Sequence, residues 1–165
     1  MQDVRCFAPI ETADARILIL GSMPGIASLA AGQYYAHPQN RFWAIMAELL
    51  GIDPAAPYEL RVQALQQAGI ALWDVLLSCR RQGSLDASID HGSLVPNDFA
   101  AFFLSHPKIS RIYFNGAKAE ECYGKHVRPI GGMQYLRLPS TSPANAAASH
   151  QQKLQAWRVI AAHVT

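Results

Sequence analysis

The 165-residue chain is poor in charge and in cysteine. Only 16% of its residues are Asp, Glu, Lys or Arg, and the formal net charge is +2. So mild a balance neither demands nor excludes a polyanionic partner, because a local basic face would suffice to hold one. The three cysteines, Cys6, Cys79 and Cys122, are widely spaced and form no CxxC. That argues against a zinc site or a four-cysteine iron–sulfur cluster, and the odd count suits a reducing cytosol. No apolar run approaches the roughly 20 residues that span a bilayer. The stretch MQDVRCFAPI has no signal-peptide core. These deficits lead to the expectation of a soluble, cytoplasmic protein with no membrane partner, no metal and no cofactor. Half the residues are hydrophobic, enough for a sizeable core. The length favours one domain, 1–165.

What is present is an alternation of short aliphatic runs and amphipathic segments. Residues 16–20 and 70–77 read as buried strands, and 111–114 and 135–138 as the third and fourth strands. Helical spacing marks 40–50, ended by Gly51, and 58–68, ended by Gly69. Asn97 can cap a helix reaching residue 105, with Asp98 in its first turn. Further helices are expected over 117–126 and, alanine-rich, over 144–163. Residues 1–15 read as a lead-in of coil or short helix, and 79–95 as polar and irregular. Strands alternating with helices imply an α/β fold: a three-layer α/β/α sandwich around a mainly parallel four-stranded sheet.

In a parallel sheet the carboxyl ends of the strands share one edge, where ligands bind. Polar residues gather at those ends: Ser22 after the first, Asp74 in the second, Asn115 after the third and Ser140 beyond the fourth. With Tyr34, Tyr35 and Asn40 they would line one cleft. The turn GSMPG allows close approach of backbone to a ligand. Its GxxxG spacing, with no acidic residue suitably placed after it, does not fit a dinucleotide fold.

GSMPG, followed by YYAHPQNRFW (34–43), LWDV (72–75), YFNG (113–116) and LPSTSPAN (138–145), resembles the motifs of the uracil-DNA glycosylase superfamily. The likeness is nearest to its hypoxanthine-DNA glycosylase branch and to the mismatch-specific uracil glycosylases. It covers most of the chain and implies the same sandwich fold. It further implies a monomeric enzyme acting on DNA that contains a deaminated base, most readily hypoxanthine, by hydrolysis of the N-glycosidic bond. A mismatch-specific uracil glycosylase is the alternative within the family. A nucleic-acid-binding module without catalysis is the alternative outside it.

On this reading Tyr35 stacks on a flipped base, replacing stacking worth about 1–3 kcal/mol. Asn40 orients the attacking water, although it also stands where Asn caps a helix. Ser22, Met23, Asp74, Asn115 and Ser140 would contact the base. Ser142, Ala144 and Asn145 would contact DNA, with Ser142 and the first N–H groups of the last helix holding a phosphate. The chain departs from the superfamily at two points. Met23 occupies the turn position where many members carry the water-activating residue, and Ser140 replaces a common His. His37 and Arg41 remain open between phosphate contact and loop support. Cys79 lacks a neighbouring base that would make it a nucleophile.

Overall fold

A computed structural model describes residues 1–164 of the chain. Strand β2 (Ile17–Gly21) is its centre, with every residue buried. Strand β3 (Ile70–Asp74) runs parallel to it on one side and β6 (Arg111–Asn115) on the other. Strand β7 (Gln134–Leu138) completes a parallel sheet of order β3-β2-β6-β7. A strand with neighbours on both edges and helices on both faces must be apolar throughout, hence the unbroken ILIL run.

Alternate side chains of β2 feed two cores. Leu18 and Leu20 pack with Phe99 and Phe102 of α4 (Phe99–Ser105) and with Ala119 and Tyr123 of α5 (Ala117–His126). Ile17 and Ile19 pack with Phe42 and Met46 of α2 (Phe42–Leu50) and Leu65 of α3 (Tyr58–Gln67). Trp157 of α6 (His150–Trp157) joins that second core. Two helical layers thus cover one sheet, the expected three-layer α/β/α sandwich.

Several expectations fail. The second strand does not run through residue 77: it breaks at Val75, whose N–H donates to the Gly21 carbonyl and whose carbonyl accepts from Asn97. Beyond that break the chain enters a second sheet, antiparallel and of order β1-β4-β5. It is built from β1 (Gln2–Arg5), β4 (Leu76–Arg81) and β5 (Ile89–Pro96). The lead-in of coil thus contains one strand, Gln2–Arg5, and the polar stretch 79–95 is largely strand. Strand β1 is mostly exposed and β5 mixes half-buried and exposed positions without alternation, so neither shows the apolar pattern that marks a half-buried strand.

The long final helix is also shorter than its alanine content suggests. Residues 144–148 form turns, Ser149 and Gln152 make a capping box, and the α-helix ends at Trp157, continuing as a 3-10 helix over Arg158–His163. Nor is Asn97 the cap of α4. Asp98 accepts from the Ala101 N–H at 3.1 Å, while the Asn97 amide donates to the Asp74 carbonyl at 2.8 Å. A further helix, α1 (Ile26–Ala31), follows the glycine turn directly, too short and too exposed to show periodicity.

Candidate active site

The strand ends meet as the topology requires. Gly21, Ser22, Met23, Asp74, Asn115 and Ser140 line one cleft of about 390 Å³, together with Tyr34, Tyr35, His37, Asn40, Ser142 and Ala144. Of the expected site residues, only Asn145 lies outside its lining. Three residues unsuspected from sequence, Ser84, Leu85 and Asp86, form another part of the wall.

Register sets its floor. Gly21 of β2 stands opposite Asp74 of β3. A Cβ at Gly21 would lie 2.6 Å from Asp74 Oδ1 and 2.9 Å from the Tyr35 hydroxyl. Glycine is thus required because two polar side chains occupy the space above it. Asp74 is 4% exposed, and its Oδ2 has no hydrogen-bond partner among the described residues; the same holds for the Tyr35 hydroxyl. Orphaned buried polar groups cost about 1–3 kcal/mol each, so a pair aimed into a cleft points to a ligand that satisfies them.

Burial pushes the Asp74 carboxyl up to about 7; the nearby Asp86 adds to the rise and Arg81 opposes it. At neutral pH Asp74 therefore divides between an acceptor and a donor–acceptor. The Tyr35 hydroxyl is raised as well, by burial and then by Asp74, and stays protonated.

Tyr35 has φ 53°, a left-handed conformation rare outside glycine that concentrates at functional sites. Its ring stacks on Phe42 with centroids 4.3 Å apart. That contact covers one face and supports the ring for a planar partner on the other.

Asn40 stands one residue before Arg41, the N-cap of α2, and its Oδ1 accepts from the Phe42 N–H at 2.9 Å, an Asx turn that leads into the helix. The oxygen retains a second lone pair in the cleft. Asn115 and Thr141 exchange two bonds, Asn115 Nδ2 to Thr141 Oγ1 at 3.0 Å and Thr141 N to Asn115 Oδ1 at 2.9 Å. The amide thus fixes the loop after β7 before it contacts any base. That loop is also tied by Arg41 N to Thr141 O, by Trp157 Nε1 to Pro139 O and by Lys153 Nζ to Ser142 O.

The anion site at the start of the last helix is not formed. Ser142 Oγ accepts from Ala144 N at 3.1 Å and caps a turn, and no helix begins there. Asn145 donates to the Ser140 carbonyl at 3.1 Å, an internal brace. Ser140 Oγ accepts from Ser142 N at 3.2 Å. His37 is exposed, with Nδ1 accepting from Gln39 N at 3.1 Å. Cys79 is buried and burial raises its thiol, as expected of an inert residue.

Ser22 has a partner that the sequence did not suggest. Its hydroxyl donates to Asp86 Oδ1 at 2.6 Å. The Asp86 loop is anchored on the glycine turn again where Ser84 Oγ accepts from Ile26 N at 2.8 Å. The buried Arg81 donates to Gly83 O at 2.8 Å and also to Pro24 O. RRQGSLD looks like any polar turn, and nothing local announces that it folds back onto residues 22–26. Among the described residues no group of His, Cys, Asp and Glu side chains could hold a metal ion, and no helix is long and apolar enough to cross a membrane.

A relative from Methanosarcina acetivorans named hypoxanthine DNA glycosylase is 34% identical over 162 residues, 96% of this chain and 98% of its own. A Methanosarcina barkeri protein of the same name is 34% identical over 148 residues, covering 89% and 91%. A solution NMR structure from M. acetivorans, of a protein proposed to be a uracil DNA glycosylase, superposes with a TM-score of 0.82. It shares 34% identity and covers 98% of both chains. The family model for the uracil DNA glycosylase superfamily matches residues 9–161. With that match spanning nearly the whole fold and its strand-end cleft, the chain belongs to the uracil DNA glycosylase superfamily.

Proposed function

We propose that the protein is a monofunctional DNA glycosylase that hydrolyses the N-glycosidic bond of a flipped, deaminated base, most readily hypoxanthine. The observation that carries this reading is the pair of unsatisfied buried groups at the cleft floor, Asp74 Oδ2 and the Tyr35 hydroxyl. The ionised Asp74 carboxylate accepts from the N1–H of hypoxanthine, whereas it would face the N1 lone pair of adenine. Below about pH 7 the protonated carboxyl can also donate to O6. The Tyr35 ring, braced by Phe42, supplies the stacking surface. Asn40 orients a water through its remaining lone pair. Its oxygen attacks C1′ of the sugar as the bond electrons leave with the base. The names and near-complete coverage of the two Methanosarcina relatives support the same substrate class.

A uracil substrate is the second reading, and the raised Asp74 carboxyl favours it. A protonated carboxyl accepts and donates as an amide does, matching N3–H and O4 of uracil. Incubation of the protein with duplexes holding one inosine, uracil or xanthine, followed by alkali and a denaturing gel, tests both. Strand breaks at inosine, undiminished by chelator, are the expected result. Breaks at uracil alone would establish the second reading. Binding without breaks on any lesion would overturn glycosylase activity.

A further inference from the structure

The β4–β5 loop brings to the cleft a carboxylate that no motif accounts for. Asp86 opens a single 3-10 turn, Asp86–Ser88, is exposed, and lines the cleft beside the glycine turn. Its position is built. Ser22 donates to Oδ1 at 2.6 Å, Ser84 fastens the loop to Ile26, and Arg81 bridges Gly83 and Pro24. Its charge reaches the floor, where it helps raise Asp74. The cleft it faces holds the two unpartnered groups, Asp74 Oδ2 and Tyr35 Oη.

The turn itself supplies no polar group beyond Ser22. Met23 is 8% exposed and packs into the core beside Leu20 and Phe114. A thioether accepts hydrogen bonds weakly and carries no charge.

We propose that Asp86 is a catalytic residue of this site, held against the glycine turn by Ser22 so that its carboxylate faces the sugar and attacking water. The proposal rests on the glycosylase reading above. Asp74, at the buried sheet end, contacts the base; Asp86, on the solvent side, meets the deoxyribose. As the C1′–N bond breaks, its electron pair leaves with the base and positive charge grows on C1′ and the ring oxygen. The Asp86 carboxylate stabilises that charge. Water oxygen then bonds to C1′, and one water proton passes to Asp86 and on to solvent, while the departing base takes its own proton from solvent. A carboxylate beside an oxocarbenium-like centre is a recurrent solution for glycosidic hydrolysis.

Single-turnover excision from an inosine duplex tests the assignment. Asp86→Asn keeps an acceptor for the Ser22 hydroxyl and removes the charge. The expected result is at least a hundredfold loss of excision rate. Binding to a duplex carrying non-hydrolysable 2′-fluoroarabino-inosine should stay within threefold of the unmodified protein. Asp86→Glu, which restores the charge, should recover at least tenfold of the loss. Excision by Asp86→Asn within threefold of the unmodified protein would overturn the proposal, as would parallel loss of binding and excision. Failure of the unmodified protein to excise any lesion would overturn the glycosylase reading and this assignment together. It is read from that protein alone, so the two failures are distinguishable.

Discussion

At the scale of single residues, Asn40 places two demands on one atom. Its Oδ1 holds the Phe42 N–H at 2.9 Å and leads into α2, and the same oxygen is proposed to hold water. The two roles separate by magnitude. Losing such a bond costs about 1 kcal/mol, roughly 2–4 °C in a chain of this length. Losing the water's orienting group should cost a hundredfold or more in rate. Asn40→Ala is therefore expected to melt only a few degrees lower while excising at under a hundredth of the rate. A proportionate loss of both, followed by calorimetry and single-turnover kinetics, would leave the turn as its whole role. Asp74 offers a different separation. Asp74→Asn fixes at every pH the donor–acceptor pair that the protonated carboxyl provides only below about pH 7. Hypoxanthine (N1–H, O6) and uracil (N3–H, O4) present the same edge to that amide, so excision of both should rise relative to the parent at pH 8. A fall in both activities would make Asp74 a scaffold residue.

At the scale of elements, the site depends on one register and one return loop. The register puts Gly21 opposite Asp74, and a Cβ at Gly21 would meet Asp74 Oδ1 at 2.6 Å. The backbone of β2 cannot retreat, because the strand is buried along its length and flanked on both edges, so the Asp74 side chain must shift. Gly21→Ala should destabilise the fold by about 1–3 kcal/mol, as overpacking does, and displace Asp74 enough to abolish excision. Denaturant unfolding and the inosine assay report the two effects. The parallel sheet with a site at its edge was legible in advance, from four short strand-like runs with polar ends, but the pairing of Gly21 with Asp74 was not. Nor was the loop. Strand β4 buries Leu76, Cys79 and Arg81 at no regular alternation and β5 is mostly half-buried or exposed, so pairing with β1 and with each other, rather than local pattern, makes them strands. Asp98 and Asn97 illustrate the same limit at a helix start. Both can cap, and only the path of the chain after β3 assigns Asn97 to the Asp74 carbonyl and leaves the cap to Asp98.

At the scale of the whole molecule, the buried carboxyl couples function to stability. Asp74 titrates near 7 when folded against an ordinary value of 3.8. Between those values the folded protein keeps a proton that the unfolded chain has released. Its stabilising effect is complete below about pH 4 and is lost as pH rises through 7. The full swing is on the order of a few kcal/mol. The carboxyls held low by lysine partners, Asp14 and Glu121, act in the opposite direction and below about pH 4, outside that window. The unmodified protein should therefore be more stable at pH 5 than at pH 8. Asp74→Asn should flatten the difference, gaining stability at pH 8 relative to the parent. Thermal melts of both proteins at the two pH values check this, and parallel pH profiles would refute it.

The sequence by itself determined the parallel sheet, its two helical layers and the set of strand-end residues that share the cleft. These follow from periodicity and from the geometry of a parallel sheet, both local or near-local rules. Only the tertiary structure decided what those residues do to one another. Asn115 is committed to Thr141, Ser22 to Asp86, and Ser142 to a turn rather than a helix start. Among the described residues, Asp74 and Tyr35 alone keep unsatisfied buried atoms in the cleft. Hydrogen-bond partners distant along the chain, and the desolvation that lifts a carboxyl, depend on which surfaces the folded chain brings together. No window of sequence contains that information.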